Sequence, residues 1–343
     1  MGAESRGSVA KPVAPPVRID GVYSPEQEER ILACIRENGP WRQILNEYVA
    51  NADQLAAITS GEAGEGGLDE VLAPTFHGVL ANDGVCFYRE LEDVFLSPRL
   101  LDHARSYWKA QHAVATRLFL NINGPTSTND PGHVDSAHFR GVGRHNTPLW
   151  MLTLMGKSGL FQQWMIKMAQ VVTWWYRGGC GGGFTYWPDG PSAPAKCITP
   201  PMWNTGILVQ NEMMYHRAES NGPAEQRRVP GLSLDSELIP DPDGGEGWVI
   251  RDDGRLLARI PAEEIRIMLH WNAEIYFDHA DLKRHRDHSD DLTRDRVFEI
   301  FVDDLRSRGI ELETPTDPEH DSDFVSLLLA TYDPGSPQAH APM

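Results

Sequence analysis

The chain has 343 residues, with 49 acidic against 31 basic side chains and a formal net charge of -18. That balance argues against a nucleic-acid partner, whose phosphates need a basic face, and against an anionic membrane surface. Hydrophobic content of 41% and a charged fraction of 23% are those of an ordinary globular protein, long enough to bury one large core. The four cysteines, Cys34, Cys86, Cys180 and Cys197, are scattered; they lack the spacing of a structural zinc knot and fit a reducing cytoplasm. Met1–Arg6 has neither the apolar core nor the cleavage pattern of a signal peptide.

Residues 1–17 are small, polar and Pro-rich and read as a disordered lead. Ser24-Pro25-Glu26-Gln27 is a helix start: Ser at the cap, Pro at the first helical position and Gln at the third. Gly39-Pro40 ends that helix. Gly61–Gly67 lacks the Gly-Lys-Ser/Thr ending of a phosphate loop and reads as a connection. Val85–Tyr88 reads as a short strand, Ser97-Pro98 starts a second helix, and Arg117–Asn123 is an apolar strand.

The most apolar stretch, Leu149–Tyr176, is interrupted by Lys157, Gln162, Gln163, Lys167 and Gln170, which a membrane span would exclude. Within it Ser158 is expected to cap a helix through Gln170, and Val171–Tyr176 has the β-branched and aromatic make-up of a strand. Further strands are expected at Phe184–Trp187, Gly206–His216, Val229–Leu238 and Ile265–Tyr276, with a hairpin turning on Asp253-Gly254. Thr293 and Asp321 or Ser322 start two last helices, and residues 334–343 form a tail. The expectation is one domain over 18–333, mainly β with flanking helices. Its β-rich core, about residues 117–276, takes the form of a sandwich or jelly-roll barrel.

Chemistry concentrates in Pro131–Arg140, where His133 and Asp135 stand two residues apart just after the strand Arg117–Asn123. In an extended chain such residues point to one face, so both can aim into a barrel mouth. The third ligand must come from a distant strand, and His216, 83 residues beyond His133, is the natural partner. Two imidazoles and a carboxylate on one face of Fe(II) leave adjacent positions open for a chelating co-substrate and O2. His-x-Asp also occurs at His279, His285 and His288, the last two in the charged stretch Lys283–Asp291, which reads as a solvated face. The competing reading is a hydrogen-bonded loop pair at His133 and Asp135 with a satisfied strand-end histidine at His216.

Arg227 and Arg228 follow His216 by 11 and 12 residues. His-x-Asp, a gap of roughly eighty residues, His, then Arg about a dozen later resembles the Fe(II)/2-oxoglutarate-dependent oxygenases. Within them the pattern is most similar to the phytanoyl-CoA hydroxylase-like branch, over about residues 117–234. The resemblance implies a double-stranded β-helix with His133, Asp135 and His216 as iron ligands. It also implies that Arg228 (or Arg227) pairs with the far carboxylate of 2-oxoglutarate, a task that suits the guanidinium fork. Arg266, at the start of a late strand, is the rival for that role, because Arg227-Arg228-Val229-Pro230 lacks the Arg-x-Ser often seen. The implied reaction is O2-dependent oxidation, by default hydroxylation, of a C–H bond in a small molecule with release of succinate and CO2. His138, Arg140 and Trp187 are expected to meet the substrate. Two other readings stand beside it: a 2-oxoglutarate-independent metalloenzyme on a cupin-like barrel, and a non-enzymatic jelly-roll binding protein.

Overall fold

Side chains on the long strands of this chain alternate between two interiors, and that alternation organises the fold. The computed structural model describes residues 10–47, 72–128 and 130–337; the glycine-rich segment Gly61–Gly67, most of the lead and the end of the tail lie outside the described residues. In chain order the strands are β1 (Val17–Asp20), β2 (Trp41–Gln43), β3 (Thr75–Asn82), β4 (Val85–Cys86), β5 (His112–Asn123), β6 (Lys167–Tyr176) and β7 (Phe184–Trp187). They continue as β8 (Lys196–Ile198), β9 (Met202–Val209), β10 (Tyr215–Ala218), β11 (Glu237–Pro240), β12 (Trp248–Asp252), β13 (Arg255–Ile260) and β14 (Arg266–Tyr276).

One sheet runs β1-β9-β6-β14-β5-β3-β2-β11-β12-β13, with β4 beside β3, and a second runs β10-β7-β8. The His133 segment extends the second sheet by pairing with His216 on β10. From β5 onward the chain therefore crosses repeatedly between sheets: β5, the His133 segment, β6, β7 with β8, β9, β10, then β14. This is the double-stranded β-helix expected from the sequence. Val172, Trp174 and Tyr176 of β6 meet Phe184 and Ile198 of the small sheet in the core between the sheets. The other faces of β5, β6 and β14, with Leu118, Leu120, Val171, Trp175, Leu269 and Trp271, bury the helices Pro25–Glu37 and Pro98–Trp108.

The helix starts follow their local chemistry. Gln27 N–H donates to Ser24 Oγ, and Ser24 N–H donates back to Gln27 Oε1, both at 3.2 Å; Thr293 and Asp321 cap Arg294–Ser307 and Ser322–Tyr332. The expected hairpin turns on Asp253 and Gly254, both with positive φ. No described helix is long and apolar enough to cross a membrane.

Three expectations are corrected. The helix placed at Ser158–Gln170 lies instead at Leu149–Ser158. Ser158 Oγ donates to Met155 O, closing the last turn, and Gly159 at φ 72 ends the helix, so Lys167 onward is free to be strand. The single strand Gly206–His216 is two, because the chain leaves one sheet at Val209 and enters the other at Tyr215. Of Val229–Leu238 only the end pairs, in β11. The described part of the lead is also held: Ala10 is buried with Val134, Trp187 and Tyr215, and Val13 N–H donates to Gln210 Oε1 at 3.0 Å.

Asn221 ties the segment after β5 to the segment after β10. Its backbone exchanges two 3.0 Å bonds with Thr126, and its Nδ2 donates to the buried carbonyl of Gly124 at 2.9 Å. Asn221→Ala leaves that carbonyl unsatisfied, and the expected loss is about 1–3 kcal/mol of unfolding free energy. Urea denaturation measures it; an unchanged midpoint and slope would show that Gly124 does not need this donor.

Candidate metal centre

His133, Asp135 and His216 converge as the sequence suggests. Their donor atoms all lie within 4.8 Å of one another, and among the described residues no other group of His, Cys, Asp and Glu meets this geometry. His133 Nε2 stands 3.8 Å and His216 Nε2 3.6 Å from Asp135 Oδ1, with the rings 4.6 Å apart. The convergence comes from the backbone. His133 N–H donates to His216 O at 3.0 Å, His216 N–H returns a bond to His133 O at 2.8 Å, and Asp135 N–H donates to Asn211 O at 3.0 Å. Gly132, at φ +110, precedes the first ligand; a Cβ there would press on Trp187 and Pro337 at 3.0 Å.

Each imidazole is aimed by its far nitrogen. His133 Nδ1 lies 2.6 Å from Asp130 Oδ2, and His216 Nδ1 lies 3.0 Å from the Met214 carbonyl. Both partners are acceptors, so Nδ1 carries the proton and Nε2 presents its lone pair to the centre. Asp135 is fixed the same way. Gln170 Oε1 accepts from Asn211 N–H at 2.6 Å, which turns its amide NH2 toward Asp135 Oδ2 at 3.3 Å and Glu212 Oε1 at 3.1 Å. Asp135 Oδ1 is left for the two histidines.

Electrostatics agree with this order. Burial alone would raise the Asp135 pKa, but His216 and His133 outweigh it and hold the carboxyl below its usual range. Burial and then the Asp135 charge push Glu212 up to about 8, which favours its protonated form near neutral pH. Two imidazole nitrogens and one carboxylate oxygen form a donor set that suits a divalent transition metal and leaves positions open.

The remaining sequence-predicted residues fall in different places. His138 is half-buried beside the triad; burial and then Arg144 bring its imidazole down to about 4. Arg140 is buried and grips Asp290 through two bonds of 2.7 and 2.8 Å and Gln163 O through a third of 2.6 Å. Trp187 stands opposite Tyr215 in the register, on the face away from His216, where it packs with Ala10 and Val134. Arg228 is exposed, and Arg227 donates its Nε to Gly222 O at 2.9 Å. Arg266 is 3% exposed and lies 6.0 Å from the Trp174 ring. Its Nε has no hydrogen-bond partner among the described residues, and burial brings its pKa down to about 10.

Asp130, Gln170, Glu212 and His270 were not singled out from sequence. Gln170 carried a signal, as a lone amide beside the apolar run Val171–Tyr176, and Asp130 another, three residues before a ligand. His270 is 6% exposed and lacks a partner at Nε2 among the described residues.

No family model matches this sequence, and no curated protein matches it. Among solved structures the chain is similar to a 2OG-Fe(II) oxygenase family oxidoreductase from Burkholderia pseudomallei, at 10% identity and TM-score 0.39, covering 76% of this chain and 86% of that one. It is also similar to HygX from Streptomyces hygroscopicus with nickel, 2-oxoglutarate and hygromycin B bound, at 8% identity and TM-score 0.37, covering 77% and 84%. A third likeness is to a prolyl hydroxylase from Trichoplax adhaerens in complex with a hypoxia inducible factor peptide, at 9% identity and TM-score 0.35, covering 80% and 87%. Overlaps this shallow bear no weight on the chemistry, which rests on the residues above.

Gln170 gives the donor set a direct test. Gln170→Leu removes the bond that turns Asp135, and divalent metal affinity should fall about 10- to 100-fold with the fold retained. Cobalt titration followed by visible absorption reads this; wild-type affinity in the variant would show that Asp135 needs no such support.

Proposed function

We propose that this chain is a non-haem Fe(II)- and 2-oxoglutarate-dependent oxygenase that oxidises a C–H bond of a small organic molecule. The observation that carries the reading is the convergence of His133 Nε2, His216 Nε2 and Asp135 Oδ1 on a double-stranded β-helix. A facial set of this kind is what iron-dependent O2 chemistry requires, because co-substrate and O2 need neighbouring open positions. When bound, iron and 2-oxoglutarate would supply the oxidant, with succinate and CO2 as co-products.

The chain's own residues would bind, orient and shield. Arg266 is our choice for the far carboxylate of 2-oxoglutarate. It is a buried cation whose Nε finds no acceptor among the described residues, and a buried charge of that kind is costly until paired. A line of aromatic rings leads from it toward a ligand: Arg266 over Trp174, Trp174 5.0 Å from Phe184, and Phe184 5.5 Å from His216. Arg228 and Arg227, favoured by spacing alone, sit outside this line of contacts. Arg266 follows His216 by 50 residues, with β11, β12 and β13 between, so the dozen-residue spacing of the phytanoyl-CoA hydroxylase-like pattern is not kept.

Anaerobic titrations test the assignment. His133→Ala should abolish tight Fe(II) binding. Arg266→Ala should keep iron and weaken 2-oxoglutarate by about 10- to 100-fold, with Arg266→Lys recovering only part. Arg228→Ala and Arg227→Ala should bind 2-oxoglutarate as the unaltered chain does. Loss in Arg228→Ala with retention in Arg266→Ala would return the role to the loop arginine. Iron-loaded protein that neither binds 2-oxoglutarate nor forms succinate from it would point instead to a 2-oxoglutarate-independent metalloenzyme.

A further inference from the structure

The inner faces of β3, β5, β14 and β6 form one continuous wall. In the register Val79 stands opposite Phe119, Phe119 opposite His270, and His270 opposite Val172. Residues directly opposite one another in a sheet share a face, so these four make one row. The alternate residues of β3 and β5, among them Leu80, Leu118 and Leu120, are buried in the outer core. The inward ones are treated differently along the row. Val79 and Phe119 are half-buried, and exposure then falls to 6% at His270 and 2% at Val172. The wall is thus accessible at β5 and closes toward β6, with His270 at the boundary.

The register also ties His270 to the metal centre. Asn272, two residues on, stands opposite Gln170, which makes His270 and Gln170 diagonal neighbours about 7–8 Å apart. Gln170 Nε2 is in turn 3.3 Å from Asp135 Oδ2. Arg266 lies four residues the other way, about 13 Å along the strand. The His270 ring stands 4.6 Å from the Phe119 ring, and its Nε2 is buried without a hydrogen-bond partner among the described residues. Its neighbours on the wall are engaged: His77 Nδ1 lies 2.7 Å from Asn121 Oδ1, and Arg117 rests over the Phe119 ring at 5.0 Å. A buried polar atom of this kind is costly until a ligand or water meets it. Burial brings the His270 imidazole down to about 4, which favours the uncharged ring near neutral pH. The Nε2 of an uncharged imidazole either donates or accepts according to tautomer, and a hydroxyl satisfies both cases.

We propose that His270 and Phe119 form the substrate subsite of this centre: His270 Nε2 bonds an uncharged hydroxyl group of the substrate, and the ring that carries that group lies along Phe119. The inference rests on the oxygenase reading above, in which a small molecule must come close to the triad. Arg266 and His270 then serve different ligands from one strand. The cation takes the co-substrate's carboxylate, and the uncharged imidazole takes the substrate's hydroxyl.

The test uses cobalt-loaded full-length protein with saturating 2-oxoglutarate under argon, so that Arg266 is already engaged. Benzyl alcohol, toluene and benzoate are titrated by NMR, where relaxation of the probe protons by cobalt reads both affinity and nearness to the centre; zinc-loaded protein is the diamagnetic reference. Benzyl alcohol should bind about tenfold tighter than toluene and tighter than benzoate. His270→Phe keeps a ring against Phe119 and removes the nitrogen, so it should erase the preference for the alcohol while leaving toluene unchanged; His270→Gln should keep part of it. Phe119→Ala should weaken alcohol and toluene together. If His270→Phe does not fold, His270→Met carries the same comparison. Equal affinity for alcohol and toluene, no binding of either, tighter binding of benzoate, or a preference intact in His270→Phe overturns the proposal. Repeating the titrations in Arg266→Ala without 2-oxoglutarate separates the two readings. A preference that persists there supports the subsite even if 2-oxoglutarate binding has failed, whereas 2-oxoglutarate binding with no preference for the alcohol overturns the subsite alone.

Discussion

The site depends on one pair of backbone hydrogen bonds, those exchanged between His133 and His216. Two residues that exchange both bonds in an antiparallel pair stand opposite each other with side chains on the same face. Segments 83 residues apart thus deliver two imidazoles to one point without relying on loop conformation. Asp135 joins them because the next contact along, Asp135 N–H to Asn211 O, continues the pairing across the turn that carries the chain from β9 to β10. The ligands sit on the ladder of the small sheet, and their placement inherits its rigidity.

That ladder brings three carboxylates close together, a repulsive arrangement unless their charges are separated. Asp130 is held in its charged form despite burial by the hydrogen bond from His133, and Asp135 by the two histidines. Glu212, with no cation to offset its burial, goes the other way. Gln170 is the spacer, donating to Asp135 and Glu212 at once. A second glutamate at position 170 would place another acid where a donor is needed, and alanine would leave both acids without one. Of the three, Asp135 is the one that belongs to the donor set, and it is held toward its charged form.

Much of this was legible in the sequence, for reasons tied to particular residues. An apolar run marked β5, Ile265–Tyr276 read as the strand that is β14, and the strand context picked His133 and Asp135 from four copies of the same spacing. Contacts distant in sequence were not legible. Arg140 looks like a binding residue until Asp290, 150 residues away, closes on it. Trp187 and Tyr186 are adjacent and both aromatic, yet the register gives Tyr186 the face of His216 and Trp187 the opposite one; a one-residue change of parity moves a side chain to the other side of a sheet. The helix before β6 was misplaced because Ser158 serves a helix end as well as it would a start.

Arg266 lies far from His216 in sequence for a topological reason. Residues 219–265 intervene between β10 and β14, and β11, β12 and β13 leave to extend the far edge of the large sheet beyond β2. Only after that excursion does the chain return to fill the gap between β5 and β6 as β14. Once there, β14 is tied down on both edges, and its alternate residues do separate jobs. Leu269, Trp271 and Ala273 bury the helices, while Arg266, His270 and Asn272 face the site. Substitutions on the inner set therefore change charge and shape at the centre without opening the outer core.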